Sequence, residues 1–440
     1  MLFPIESLIN KFTKTPSQGI YLGKVHNSFF RKEYLTEGEM NHHVHILGAS
    51  GFGKSVLLMK ISKEIIKKNE GGLLFIDLKG DIETVEEFKK FARDARREND
   101  IQIFSLTRKD ISSSYNFLKE GSPTQIRDRI MTSLIWSEEY YKNQSASYLL
   151  KILIPLCYVR DHQNEKLDFE TLYNAVTKKD FLISLTKKIP KSEVKLLTLL
   201  EDSYQFLSQP DQYKSLSGLR TQIESLILSD FSDLLEERDQ GISLFEGIKK
   251  KKIILLFLDS RRYGETAKVI GRFILQDLKS TSSKIDQEIP KIERTPFTVI
   301  IDEFSDLAQE DFIGFLDRAR SSKIGIIIAH QELSDLNRIS PEFAARLTGN
   351  CSTLYAFLQK NGDSAEQIAK YSGTKTVWKE TIKSERFLFW SIQTGDRSLR
   401  EVEEFNVHPN QIKSLKVGEC ISIKKYPKAI SSKLRVSYEK

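Results

Sequence analysis

Two kinds of hydrophobic pattern alternate along the chain. Between residues 43 and 119, short apolar runs alternate with longer stretches of 3.6-residue periodicity. That spacing predicts a strand at 43–47, a helix at 54–68, a strand at 73–77, a helix at 82–97 and a strand at 101–105. Strands that alternate with helices lie parallel to one another, so this stretch reads as α/β with a mainly parallel sheet. From about 121 to 245 helical periodicity takes over, as in Leu149, Leu150, Ile152, Leu153 and Ile154 or in Leu219, Ile223, Leu226 and Ile227. Only Gly121 and Gly218 of the 22 glycines fall in 121–240. Alternation then returns, with strands expected at 253–258, 297–301 and 324–329 and helices at 264–281 and 310–321. The pattern therefore predicts an α/β domain built from 43–120 and 246–440, an all-α domain inserted at 121–245, and a lead-in segment, 1–42, in which Gly19 to Lys24 reads as a short strand.

The junction of the first strand and helix carries the chemistry. After Val44-His45-Ile46-Leu47 the chain reads Gly48-Ala49-Ser50-Gly51-Phe52-Gly53-Lys54-Ser55-Val56. A nucleotide polyphosphate needs backbone N–H groups packed around it without side chains in the way. It also needs a helix N-terminus aimed at it, an ammonium on the terminal phosphates and a hydroxyl for magnesium. The glycines, Lys54 and Ser55 supply all four.

A second run, Phe297-Thr298-Val299-Ile300-Ile301, ends in Asp302-Glu303. β-Branched residues closing on two carboxylates suit a central parallel strand whose tip carries ligand chemistry. Asp302 is expected to orient the water shell of Mg²⁺, and Glu303 to act as the general base for an attacking water. The strand at 324–329 leads to His330-Gln331, where Gln331 is placed to bridge the terminal phosphate or the attacking water to moving parts and His330 reads as structural. Before it, Leu316-Asp317-Arg318-Ala319-Arg320 offers Arg320, and second Arg318, as an arginine presented in trans to a neighbouring subunit's nucleotide. Phe75-Ile76-Asp77-Leu78-Lys79-Gly80-Asp81 forms a strand-to-helix turn with Asp77 at its start. Arg261-Arg262-Tyr263 follows another strand and is a candidate polymer-gripping loop.

Composition narrows the class. The chain has 440 residues, 40% apolar and 29% charged, as soluble globular proteins do. No charge-free apolar stretch is long enough to span a bilayer, and Met1 to Ile5 is too short for a signal-peptide core, so a cytoplasmic location is expected. Cys157, Cys351 and Cys420 stand alone, which supports neither a zinc site nor a disulfide framework. The net charge of +7 is uneven: residues 121–240 hold 15 Lys and Arg against 18 Asp and Glu, which leaves +10 on the remainder. The basic surplus thus sits with the phosphate loop and suits a polyanionic partner such as DNA.

Taken together, HVHILGASGFGKS, FIDLKGD, VIIDEF and RARSSKIGIIIAHQELSDL resemble the coupling-protein ATPases of type IV secretion and conjugation, within the FtsK-HerA superfamily of P-loop motors. The stretch at 395–420 is similar to the closing segment of TraD/TraG-type members, and the likeness extends over roughly 18–425. The resemblance implies a RecA-like P-loop NTPase domain with an inserted all-α domain. It implies ATP and Mg²⁺ as cofactors and a ring, commonly a hexamer, that moves single- or double-stranded DNA. Carried over by position, Lys54 and Ser55 hold phosphates and Mg²⁺, Asp302 and Glu303 form the acidic motif, Gln331 is the sensing glutamine and Arg320 the arginine finger. Phe52 stands where a smaller residue is often found. Many members begin with transmembrane helices, and this chain has about 40 residues before its loop, so membrane docking is expected through an anchored secretion partner.

Three functions remain open on these residues. The first is a coupling motor that delivers DNA or a relaxase–DNA substrate to a secretion apparatus. The second is a HerA-like translocase for DNA processing or defence. The third is a nucleotide-switched substrate receptor that pumps no DNA.

Overall fold

The computed structural model describes residues 19–26, 31–236, 238, 241–387 and 390–437, with backbone alone at 381–387 and 390–398. Most of the expected lead-in segment, including Met1 to Ile5, lies outside the described residues.

Among the described residues the order opens with β1 (Ile20–Val25), β2 (Lys32–Leu35), α1 (Glu37–Asn41), β3 (Val44–Leu47), α2 (Lys54–Lys68), β4 (Gly72–Asp77), α3 (Ile82–Asp94) and β5 (Ile101–Ser105). Helices then follow one another: α4 (Pro123–Ser133), α5 (Glu139–Gln163), α6 (Phe169–Thr177), α7 (Lys179–Thr186), α8 (Val194–Ser208), α9 (Pro210–Ser215), α10 (Ser217–Ile227) and α11 (Leu244–Lys249). Alternation resumes with β6 (Ile253–Phe257), α12 (Ser260–Glu288), β7 (Phe297–Asp302), α13 (Phe312–Ala319), β8 (Ile324–His330), α14 (Pro341–Asn350) and β9 (Thr353–Ala356). The last elements are α15 (Gly362–Ser372), β10 (Thr374–Phe387), β11 (Trp390–Phe405), α16 (Pro409–Lys413), β12 (Glu419–Lys424) and β13 (Ile430–Val436).

These elements gather into two compact units. The first comprises the described residues of Met1–Ile61, Ala308–Ile313 and Ile326–Lys440; the second comprises Ser62–Leu307 and Gly314–Gly325.

In the first unit the strands run in the order β2-β1-β13-β12-β9-β3-β8. β3 is parallel to both β8 and β9, while β12, β13, β1 and β2 continue antiparallel. Every residue of β3, β8 and β9 is buried, the reason each reads as a nearly continuous apolar run. Leu47, Leu354, Ala356, Ile421 and Ile423 from these strands pack with Ala365, Ile368 and Ala369 of α15 and Ile412 of α16. Among the described residues β10 and β11 pair with each other alone, from Thr374 opposite Phe405 to Phe387 opposite Trp390, with a register shift between Ile382 and Ser384.

In the second unit the order β7-β4-β6-β5 is parallel throughout. The register sets Asp77 of β4 beside Asp302 of β7 and Phe257 of β6, so two acidic strand ends lie side by side. Stacked Phe117 and Phe273, with Phe169 edge-on to both, fill the space between the turn after β5, α6 and α12.

Two helices differ most from their expected bounds. α3 stops at Asp94 because Arg96 turns left-handed (φ 57°), and Arg97, 3% exposed, spends its guanidinium on the carbonyls of Ile66 and Gly71 and on Asp100. α12 runs beyond 264–281 at both ends, to Glu288, and starts early because Asp259 caps it, its side chain accepting from the Arg262 N–H at 3.2 Å. Gly264, at φ 51° and ψ −125°, then breaks the helix within its second turn. Among the described residues no helix is long and apolar enough to cross a membrane.

Candidate active site

In the first unit the glycine-rich loop leaves the carboxyl end of β3, between the ends of β8 and β9, where parallel sheets bind their ligands. Its backbone is tied on both sides. The Gly48 N–H is shared between the carbonyls of Gln331 (3.0 Å) and His330 (3.3 Å), and the Ala49 N–H donates to the Leu358 carbonyl at 3.0 Å. A Cβ on Gly48 would stand 2.4 Å from Phe357 Cβ, and one on Gly53 3.2 Å from Phe357 Cε1. Phe357 therefore forms the wall behind the loop. Gly51, at φ 82°, faces open space.

Lys54 opens α2 and is 5% exposed; its Nζ reaches back 2.5 Å to the Gly48 carbonyl and so spans the loop. Ser50, Gly51 and Ser55 are exposed, Phe52, Gly53 and Val56 half-buried, and Ala49 buried. The Phe52 carbonyl accepts from the Gly418 N–H at 3.0 Å, which fastens the crown of the loop to the turn before β12. Exposed Gln331 follows β8, and its carbonyl also accepts from Gln359 Nε2 at 3.2 Å. The loop and Gln331, 276 residues apart from Ser55, are thus neighbours through the main chain.

Beneath them, fully buried His45 and His330 touch through their Nε2 atoms at 2.6 Å. One ring donates and the other accepts. Burial, and then the neighbouring His330, push the His45 pKa well below its usual value.

In the second unit the tips of β4 and β7 carry the acids. Asp302 is 4% exposed, and its Oδ1 accepts from the Glu303 N–H at 3.0 Å; Glu303 itself turns left-handed, at φ 54°. Lys79 Nζ lies 2.8 Å from Asp302 Oδ2 and 3.1 Å from Glu303 Oε1, bridging both carboxylates. Burial opposes charge on Lys79, but its contacts with Asp302 and Glu303 prevail and raise its pKa. Asp77, 3% exposed, is pushed up to about 6, chiefly by burial. The Lys79 N–H, 2.9 Å from Asp77 Oδ1, opposes that rise, and the Asp302 charge adds to it. Gly80 (φ 71°) is required here, because a Cβ would stand 2.6 Å from Asp259 Cβ.

Half-buried Arg320 immediately follows α13, and exposed Arg318 occupies its last turn. Arg261 and Arg262 are exposed at the start of α12, whereas the Tyr263 hydroxyl donates to the Leu106 carbonyl at 3.1 Å and its ring meets Phe231 edge-on. Cys157, Cys351 and Cys420 are buried free thiols.

Sequence reasoning gave no role to Lys79 or Phe357. Lys79 lies within the FIDLKGD turn, but its partners are 223 residues away and become visible only through strand register. Nothing in the local sequence marks Phe357.

Comparison with known proteins follows the same outline. The family described as the central domain of helicase HerA matches residues 30–270, more than half of the chain. The chain belongs to this family. The region described as the TraM recognition site of TraD and TraG matches residues 296–416. The type 4 coupling protein DotL of Legionella pneumophila is 20% identical over 370 residues, covering 72% of this chain. The chain spans about half of DotL's length, 47%. Among solved structures, the bacterial conjugative coupling protein TrwBdeltaN70 superposes with a TM-score of 0.68 at 15% identity, covering 98% of this chain and 92% of that one. TrwB in complex with ADP and Mg²⁺ gives 0.64 at 15% identity, covering 92% and 87%. These likenesses show the α/β, RecA-like P-loop NTPase fold.

Proposed function

We propose that the chain is an ATP-hydrolysing DNA motor that acts as a coupling protein, delivering DNA or a relaxase–DNA complex to a type IV secretion or conjugation apparatus. The observation that carries this reading is the loop at the end of β3: a glycine-rich cradle walled by Phe357 and spanned by the buried Lys54 ammonium. That arrangement fits a nucleotide polyphosphate, and TrwB, which shares the fold, binds ADP and Mg²⁺.

In this reading residues 48–56 bind the phosphates, with Lys54 donating to the terminal ones. The Ser55 hydroxyl and the Asp302 carboxylate are hard oxygen donors of the kind Mg²⁺ takes together with substrate phosphates. Among the described residues no group of three His, Cys, Asp or Glu side chains could hold a metal by itself. When bound, Mg²⁺ neutralises charge on the transferring phosphoryl group. Glu303 orients the attacking water and takes its proton. Gln331, hydrogen-bonded through its carbonyl to the loop, reports on the terminal phosphate, and Arg320 serves a neighbouring subunit's nucleotide within a ring, taken to be a hexamer. Residues 43–120 and 246–440 form the motor domain. Residues 121–245 form an inserted all-α domain that meets the relaxase or other substrate, and a membrane-anchored partner holds the ring at the inner face of the membrane.

Steady-state ATP hydrolysis with and without single- and double-stranded DNA, beside Glu303→Gln, tests the proposal. DNA-stimulated hydrolysis lost in the variant is the expected result. Hydrolysis indifferent to DNA, or none, favours a nucleotide-switched receptor and overturns the motor. The HerA match over 30–270 favours a second reading, a DNA-processing or defence translocase, in which DNA stimulates hydrolysis but no relaxase binds.

A further inference from the structure

We infer that Lys79 is a built-in counter-ion that occupies the acidic pair until Mg²⁺–nucleotide displaces it, so that the chain sets its own threshold for divalent cation. The inference rests on the ATPase reading above.

Asp77, Asp302 and Glu303 crowd three carboxylates onto two adjacent parallel strand ends. Like charges so placed repel one another, and Asp302, at 4% exposure, has little water to screen it. One ammonium answers both members of the pair, at 2.8 and 3.1 Å. The turn holds it there: the Lys79 N–H is fixed to Asp77 Oδ1, the Leu78 carbonyl accepts from the Ser260 N–H at 2.7 Å, and Gly80 packs against Asp259. The stem therefore starts from a fixed point.

Asp302 would offer a divalent ion a carboxylate whose Oδ2 already pairs with an ammonium at 2.8 Å. Lysine suits such a role. Its ammonium is a compact point charge on a flexible stem, without the planar fork that makes arginine pairs hard to part. The Lys79 side chain is 32% exposed, so it has a path into water, where it is rehydrated as it leaves. Lys79 is thus a positioning residue: it holds Asp302 and Glu303 in place while no cation does, and it makes Mg²⁺ compete for them.

The test is Mg²⁺ titration of the binding of a fluorescent, non-hydrolysable ATP analogue to the full chain, for wild type, Lys79→Met and Lys79→Arg, each checked for native far-UV circular dichroism. Lys79→Met keeps the stem and removes the charge. It is expected to lower the half-saturating Mg²⁺ concentration by roughly tenfold in low salt, and by less in high salt, as the loss of one partly screened charge dictates. Lys79→Arg, which restores the charge, is expected to return the midpoint to within about threefold of wild type. A purely structural lysine would weaken binding of the analogue without lowering its Mg²⁺ requirement. A Lys79→Met midpoint that is unchanged or raised overturns the latch and leaves the ATPase reading standing. Failure of the wild type to bind the analogue at any Mg²⁺ concentration overturns both.

Discussion

Arg129→Met is expected to loosen the junction of α4 and α12 by about 3–5 kcal/mol, the range found when one partner of a buried ion pair is removed. Arg129 Nη2 lies 2.9 Å from Asp277 Oδ1, with the two side chains 2% and 12% exposed. The Tyr115 hydroxyl donates to the other Asp277 oxygen at 2.7 Å, and Arg129 Nη1 also donates to the carbonyls of Phe117 and Glu120. Methionine fills most of the volume but supplies no donor, so a carboxylate and two carbonyls lose theirs. Taking ~3 kcal/mol, the local opening constant should rise by about two orders of magnitude, since 1.4 kcal/mol is tenfold. Hydrogen exchange by mass spectrometry of the full chain, on peptides covering 123–133 and 273–282, reads this directly. The penalty should depend on pH with a defined sign. Burial raises the Asp277 pKa, and the Arg129 charge is the main influence against that rise. With the charge gone, the folded pKa climbs further above the unfolded value of about 4, the folded state holds a proton that the unfolded state releases, and stability falls as pH rises. The variant should therefore be least impaired at the acid end of that window and worst above it. Arg129→Met with Asp277→Leu removes both charges and should recover at least half of the loss. Exchange within threefold of wild type at neutral pH, or a double variant worse than the single, would refute the assignment of this pair as the anchor.

Two further predictions follow from the strand tips. Gly48→Ala should abolish binding of the ATP analogue, because its Cβ would stand 2.4 Å from Phe357 Cβ, whereas Gly51→Ala, with nothing within 4 Å, should cost only the roughly 1 kcal/mol of a left-handed alanine. Equal losses in a side-by-side titration would show that space behind the loop is not what matters. Asp77, raised from 3.8 to about 6, keeps its proton in the folded state over an interval in which the unfolded chain has lost it, so its contribution to stability declines as pH rises through about 4 to 6. Asp77→Asn should flatten that slope by up to about 3 kcal/mol across the window, measured as the pH dependence of the thermal midpoint. An unaltered slope would assign the effect to another group.

Much of the α/β plan was legible in the chain. β3, β4, β6, β7 and β8 are buried along their length, so their sequences are nearly continuous apolar runs, interrupted at positions such as His45 and Thr298, and a glycine–lysine loop or paired acids stand out at their ends. The last third was harder to read. Most described side chains of β10 and β11 are exposed, with Trp378 at 61% and Leu399 at 67%, so neither strand reads as the continuous apolar run that marks the buried strands. The boundaries of α3 and α12 likewise depended on Arg96, Arg97, Asp259 and Gly264, whose effect lies in backbone angles and in distant carbonyls.

By itself, the sequence determined most of the alternating strands and helices up to β8 and where the glycine–lysine loop and the paired acids fall along them, because periodicity and motif are local properties. Only the tertiary structure decided that Lys79 bridges Asp302 and Glu303, that Phe357 walls the loop, that His45 meets His330, and that Arg129 and Asp277 are one buried pair. Each of these depends on strand register or helix packing between residues far apart in the chain, and no local propensity encodes the distance between them.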